Sequence, residues 1–169
     1  MKTGTALIGG LAGAVTLNLI HEAYRQIDKD APHIHIIGEE ALVKVLKEAK
    51  LPKPHTQKQL YLWTLTGDVI SNALYYSLIG AGKRKNLLKR GLAFGLAAGL
   101  GAVFMPSKMS LADAPSARTT ETKLLTVLWY TLGGLAAASV IKVLRKKKSY
   151  AIKSVFHAKP DLYKHTAQL

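Results

Sequence analysis

The sequence predicts an all-α fold, a four-helix transmembrane bundle with an amphipathic outer helix and a basic cytoplasmic tail. Apolar stretches of about 18 to 21 residues recur along the chain, close to the ~20 residues that a helix needs to cross the hydrocarbon layer. Because backbone polar groups inside a bilayer must find partners within their own segment, each stretch is expected to be α-helical. The predicted spans are residues 3–20, 60–80, 87–105 and 124–144.

These spans fit one membrane domain over residues 1–169, with an outer loop at 21–59 and a basic tail at 145–169. Lys2 and the apolar run after it are similar to a signal peptide, but a cut after Ala14 would leave too short an apolar core. We therefore expect the run to remain as the first span. A soluble bundle is the alternative, although segments this apolar exceed what a soluble core usually needs.

The distribution of charge favours a membrane over a nucleic acid as the partner. The net charge is +14, and 49% of the residues are hydrophobic. Lysine and arginine can neutralise phosphates along a nucleic acid. In this chain, however, they avoid the apolar stretches and are concentrated at the ends of those stretches. No nucleic-acid partner is expected. The chain has no cysteine, which excludes disulfides, thiolate metal sites and cysteine nucleophiles.

The same charges predict the orientation. With four spans, both termini and the loop between the second and third spans share one side, which holds 14 basic residues and one acidic residue, Asp161. The other side holds 10 basic and 8 acidic residues. The positive-inside rule therefore predicts a multi-pass protein with both termini in the cytoplasm.

A polybasic segment directly follows the fourth span. Such residues next to a membrane attract anionic lipid headgroups at ~1 kcal/mol each. We expect this segment to anchor the tail on the inner leaflet, with a partner-binding tail as the alternative. The residues are Arg145, Lys146, Lys147 and Lys148.

The outer loop contains a predicted amphipathic helix at residues 39–50, which is expected to lie on the outer membrane surface or to cap the bundle. His33 and His35, with His55 further on, resemble a zinc or copper site only weakly, because no carboxylate stands in register with them. Metal binding at the outer face stays open as an alternative. Neither a metal nor a cofactor is expected.

Small residues at intervals of four predict close helix packing, a glycine zipper. Without a hydrophobic driving force in lipid, helices associate largely through close backbone contact. These contacts can form within one chain or between chains, so a homo-oligomer is possible. The predicted packing residues are Gly9 and Gly13 in the first span, Gly91, Gly95 and Gly99 in the third, and Gly134 in the fourth.

A polar stripe crosses the second span. Asp68 lies ~12 Å below the outer boundary at helical rise, and an ionised carboxylate at that depth costs several kcal/mol unless it is paired, hydrated or protonated. The stripe must therefore face protein or water. Its members, at helical offsets of three and four, are Thr64, Asp68, Ser71, Asn72 and Tyr75.

The outer end of the first span supplies a second polar face with Asn18, His21, Glu22 and Arg25. Consecutive helices are usually neighbours, so the two faces are expected to meet. Arg25 reaching inward, or protonated His21, is the predicted compensation for Asp68.

Two functions are open for this polar network. It can lock the packing of the first two spans, or Asp68 and His21 can relay protons or bind a cation in a water-filled cavity. No catalytic residue is expected, because the stretch from His21 to Arg25 lacks the second histidine of a zinc helix motif.

The segments HEAYRQ and GDVISNALYYSLIG resemble small bacterial integral membrane proteins with a GDxxSNxLYYSL-type segment, for which no activity is known. This resemblance implies a place in the bacterial inner membrane and no catalytic role. The sequence thus favours an accessory or structural protein, with a subunit of a larger membrane complex as one form of that role. A proton- or ion-coupled transport element centred on Asp68 is the alternative.

Overall fold

The structure is a computed structural model that describes residues 2–27, 34–111 and 114–157. These residues form helices and no strand, which confirms the all-α prediction for the part described. Two 3-10 turns, Leu78–Gly80 and Arg84–Asn86, join α3 to α4. The α-helices are α1 Lys2–Ile27, α2 Ile34–Glu48, α3 Gln57–Ser77, α4 Leu87–Lys108, α5 Ala114–Ala117 and α6 Thr120–His157.

Three segments of the described chain are helices long and apolar enough to cross a membrane: Thr3–Ile27, Arg84–Lys108 and Thr120–Lys146. They are compatible with a membrane protein. The predicted span 60–80, which covers most of α3 and the turn after it, is not among them. α3 differs because it begins with Gln57-Lys58-Gln59 and carries the polar stripe, both of which lower its mean hydropathy.

The outward faces of these helices are apolar. On α4, Leu92, Leu96 and Leu100 recur every fourth residue, and each side chain is exposed. Leu7, Leu11 and Leu19 are likewise exposed on α1. Such long apolar faces are unfavourable in water and would be covered by lipid.

The long helices alternate in direction and lie in the spatial order α3, α1, α6, α4. α6 packs along both α1 and α4, whereas α3 packs along α1 and touches α4 and α6 only locally. α6 therefore forms the centre of the molecule. A bundle closed on all sides would need a further long interface between α3 and α4.

The α4–α6 interface is built on the predicted glycines. A methyl group at Gly91 would lie 2.6 Å from the carbonyl oxygen of Gly134, and one at Gly95 would lie 2.6 Å from Cα of Thr131. At Gly99 the nearest atom would be Cα of Val127, again at 2.6 Å. Backbone touches backbone along three turns, which only glycine on α4 permits.

The glycines of α1 face two partners. A methyl group at Gly13 would lie 2.6 Å from the carbonyl oxygen of Gly133, so this glycine packs against α6. Gly9 packs on the same helix, against Ile141 and Ala137. Gly10, which the sequence analysis does not single out, approaches the backbone of α3 at Ala73. α1 is therefore held closely on both sides.

The core lies where α1, the end of α3 and α6 meet. Tyr76 is fully buried there, and its hydroxyl donates a hydrogen bond of 2.8 Å to the carbonyl oxygen of Tyr130. Leu17, Ile79 and Ile141 surround it with apolar side chains. The core thus contains a hydrogen bond that ties α3 to the backbone of α6.

Arginines satisfy the carbonyl groups of the turn between α3 and α4. The guanidinium of Arg145, on α6, donates to the carbonyl oxygens of Gly80 and Gly82, and that of Arg90 donates to Leu78 at 2.7 Å. Arg145, the first residue of the predicted lipid-binding segment, thus contacts protein, and its binding to lipid headgroups stays a prediction. Lys146 is exposed, and the side chains of Lys147 and Lys148 lie outside the described part.

α2 covers the opposite end of the molecule, which is one of the two placements predicted for the amphipathic helix, and it begins at Ile34, before the predicted start at residue 39. A methyl group at Gly38 would lie 2.6 Å from a side-chain carbon of Thr64, so α2 rests closely on α3. Lys44 donates a hydrogen bond of 2.8 Å to the carbonyl oxygen of Met109 at the end of α4. α2 therefore bridges α3 and α4.

Candidate functional site

Asp68 is bound by amides of two helices. Asn18, on α1, donates a hydrogen bond of 2.8 Å to Asp68 Oδ2, and Asn72, one turn further along α3, donates one of 2.9 Å to Oδ1. The polar faces of the first span and of α3 therefore meet at Asn18 and Asp68. Each carboxylate oxygen accepts one of these hydrogen bonds and has a lone pair left for a further donor.

Neither predicted cation compensates Asp68. Arg25 instead forms an ion pair with Glu22, with hydrogen bonds of 2.8 and 3.1 Å to the two carboxylate oxygens. The reason is distance along α1: Asn18 is level with Asp68, whereas Arg25 lies seven residues further on, ~10 Å at helical rise. Glu22 is one turn from Arg25 and captures its guanidinium.

His21 packs against aromatic rings of α6. Its ring centroid lies 4.9 Å from that of Trp129 and 5.9 Å from that of Tyr130. Tyr24 packs on Trp129 from one turn further along α1, at 5.0 Å. The imidazole is therefore part of an aromatic cluster and is not bonded to Asp68.

The other members of the stripe have separate partners. Ser71 donates to the carbonyl oxygen of Asp68 in its own helix, at 3.1 Å. Tyr75 donates to the carbonyl oxygen of Phe94 on α4, at 3.0 Å, and so joins α3 to α4 near the turn between them. The predicted network is thus three separate sets: Asp68 with Asn18 and Asn72, Glu22 with Arg25, and Tyr75 with α4.

A cavity of about 660 Å³ lies beside Asp68. α3 and α4 meet at Tyr75 and Phe94 but separate toward the other end of the bundle, where α2 covers the gap. Residues of α1, α2, α3 and α4 line the cavity, together with Tyr130 of α6. The lining includes Asn18, His21, Glu22, Arg25, His35, Tyr61, Thr64, Asp68 and Ser71 among largely apolar side chains.

Two polar atoms in the cavity wall have no hydrogen-bond partner among the described residues. One is Oγ1 of Thr64, a residue that is only 7% exposed, and the other is Nε2 of His21. Buried polar groups are normally bonded, and an unbonded one costs about 1–3 kcal/mol. These atoms therefore mark places where a bound molecule or water would be stabilised.

The outer histidines do not form a cluster in the described part of the chain, where no group of three His, Asp or Glu side chains comes together. His33 lies outside the described residues. The ring of His35 packs near that of Tyr61 at 6.1 Å, and the backbone N–H of His55 donates to the side chain of Gln59 at 2.9 Å.

The polar pattern of the sequence does not indicate the contribution of α6 to this region. Trp129 and Tyr130 lie close to His21, and Tyr130 completes the cavity wall. The two residues are neighbours in an apolar helix, and no periodic pattern there distinguishes buried aromatic residues from exposed ones. Trp63 illustrates the ambiguity, since it is 50% exposed whereas Trp129 is 3% exposed.

No known protein family, curated protein or solved structure matches this chain.

Proposed function

We propose that this chain is a four-span accessory or structural protein of the bacterial inner membrane, with both termini in the cytoplasm. The proposal that α3 crosses the membrane rests on its contacts with α1. Gly80 packs on Ala6, Gly10 on Ala73, and Asp68 on Asn18, so α3 runs antiparallel beside α1 for most of the length of a span. If α1 crosses the bilayer, α3 must cross beside it, with its polar stripe turned from lipid.

The bond between Asn18 and Asp68 carries the structural assignment. An amide of α1 and an amide of α3 hold the two oxygens of one carboxylate, an arrangement that fixes the register of the two helices. Hydrogen bonds between membrane helices are worth about 0.6 kcal/mol on average and up to about 1.7. The bond therefore acts as a modest but specific lock.

Asp68→Asn tests this role. An amide at position 68 places an NH2 group, which cannot accept, where one of the two oxygens lies, so one neighbour loses its acceptor and we expect the free energy of unfolding in SDS–bicelle mixtures to fall by about 1 kcal/mol. Ser71→Ala is the matched control, because the Ser71 hydroxyl bonds only within α3 and its loss should leave the unfolding free energy nearly unchanged.

A proton- or ion-coupled transport element is the second candidate, favoured by the cavity that reaches Asp68. Proteoliposomes with an imposed pH gradient separate the two. The structural assignment expects no protein-dependent flux in either the parent or Asp68→Asn. A flux that disappears in a variant as stable as the parent would replace it with transport.

An accessory protein needs a partner, and a larger membrane complex or a second copy of this chain is proposed here. Anionic headgroups on the cytoplasmic side are proposed as lipid partners of the basic tail. The role is proposed to be non-enzymatic, because the sequence offers no complete catalytic motif. Native mass spectrometry of the complex released from membranes is expected to show a stoichiometric partner, and a lone monomer at every extraction condition would contradict this.

A further inference from the structure

The cavity beside Asp68 has the size and the walls of a binding site for an organic molecule. Its volume of about 660 Å³ falls within the ~300–1,000 Å³ of small-molecule sites, which are mostly apolar with a few placed polar groups. Its apolar wall comes from α1 to α4 and the loop after α4, and includes Leu19, Leu42, Leu65, Met105 and Leu111.

Asp68 lines the cavity without an ion-pair partner among the described residues. Arg25 and Glu22 form an ion pair with each other. Asp68 accepts hydrogen bonds from two amides and forms no ion pair within the described part of the chain. A ligand with a positive charge would complete the site, since a buried carboxylate is stabilised by an opposite charge.

Other polar groups are placed to bind the same ligand head. Oγ1 of Thr64, one turn along α3 from Asp68, is buried without a partner in the described chain, as is Nε2 of His21. Tyr61, Trp63 and Tyr130 also line the cavity, and aromatic faces attract organic cations. The wall thus offers acceptors and aromatic rings to a cationic head.

We propose that this cavity binds an amphipathic organic amine, with its ammonium group at Asp68 and Thr64 and its apolar body along the walls of α3 and α4. This binding function goes beyond the proposed structural role. It holds whether or not Asp68 supports a proton flux, because it concerns occupancy and not transport.

Three probes with the same tail test the charge requirement: dodecylamine, dodecanol and dodecanoate. Each is titrated into the protein in nanodiscs, with tryptophan fluorescence as the signal because Trp63 lines the cavity, and with empty nanodiscs as the blank. We expect saturable binding of dodecylamine at least about tenfold tighter than that of dodecanol or dodecanoate, the factor of a single favourable charge contact. Equal binding of amine and alcohol would overturn the proposal, as would the absence of a saturable signal.

A plug variant keeps the test independent of the Asn18–Asp68 lock. Gly101 lines the cavity, and a methyl group there would find its nearest atom 4.0 Å away, so Gly101→Phe should fill the space without displacing a helix. Ala97→Phe, one turn earlier on the exposed face of α4, is the matched control. We expect Gly101→Phe to weaken dodecylamine binding about tenfold or more and Ala97→Phe to leave it unchanged. Unchanged binding in Gly101→Phe would place the amine elsewhere and refute the site.

Discussion

At the scale of single residues, Pro106 leaves a carbonyl group of α4 without its usual donor, and a residue distant in sequence supplies one. Pro106 lies inside α4 and has no N–H to donate to the carbonyl oxygen of Ala102, four residues earlier. The hydroxyl of Ser116, a fully buried residue in α5, donates to that oxygen at 2.8 Å. The predicted third span ends before the proline, at 105, but the helix continues to Lys108 because Ser116 replaces the missing donor.

A double-mutant cycle measures this replacement. Ser116→Ala leaves the Ala102 carbonyl without its donor, so we expect the free energy of unfolding to fall by about 1 kcal/mol. In a Pro106→Ala background the restored N–H bonds the same oxygen, and the cost of Ser116→Ala should fall to less than about half. SDS unfolding of the four proteins gives the coupling, and equal costs in both backgrounds would show that Ser116 acts elsewhere.

At the scale of elements, the glycines of α4 decide how the helices pair. α4 presents Gly91, Gly95 and Gly99 to α6 and its leucines to the outside, so one face of the helix packs on protein and the other is an exposed apolar face. The predicted zipper residues thus lie against backbone, with those of α4 on α6 and those of α1 on α6 as well.

Two glycine-to-alanine changes contrast a tight site with an open one. At Gly95 the new methyl group would lie 2.6 Å from Cα of Thr131 and 2.8 Å from the carbonyl oxygen of Tyr130. Backbone atoms cannot rotate away, so α4 and α6 must separate, and we expect a loss of about 1–3 kcal/mol of unfolding free energy. A methyl group at Gly67 would meet no atom of another helix within 4 Å. Alanine there should be neutral or stabilise α3 by up to about 1 kcal/mol through its helix propensity.

SDS–bicelle unfolding followed by circular dichroism measures both variants. If Gly95→Ala were as stable as Gly67→Ala, the close α4–α6 contact would not form in the membrane.

At the scale of the whole molecule, the position of α3 decides the topology. With α3 as a span and the proposed orientation, α2 and the loop after α4 would lie outside, and the turn between α3 and α4 would lie in the cytoplasm with Arg90 and Arg145. If α3 did not cross the membrane, Ala49 and Asn86 would lie on the same side of it. Both residues are exposed.

The absence of native cysteine makes this topology directly measurable. A membrane-impermeant maleimide should label Ala49→Cys in intact cells and Asn86→Cys only after lysis, because the positive-inside rule places the turn in the cytoplasm. A permeant maleimide that labels both variants is the control. Labelling of both from outside would remove α3 as a span, and the reverse pattern would invert the orientation.

The sequence by itself determined the helical class and the three helices that are long and apolar enough to cross a membrane. It did so because each of these properties is local: hydropathy over ~20 residues predicts a span without reference to any neighbour. It also singled out the glycines at intervals of four and the carboxylate that needed partners.

Only the tertiary structure decided which groups those partners are. Asp68 pairs with Asn18 because the two residues lie at the same height along α3 and α1, whereas Arg25 lies too far along α1 and pairs with Glu22. A side chain reaches about one helical turn, and the relative height of two helices cannot be read from the sequence of either helix. The cavity likewise exists because α3 and α4 meet at Tyr75 and diverge beyond it. Such a gap depends on the angle between two helices, a quantity that packing sets and that no local pattern contains.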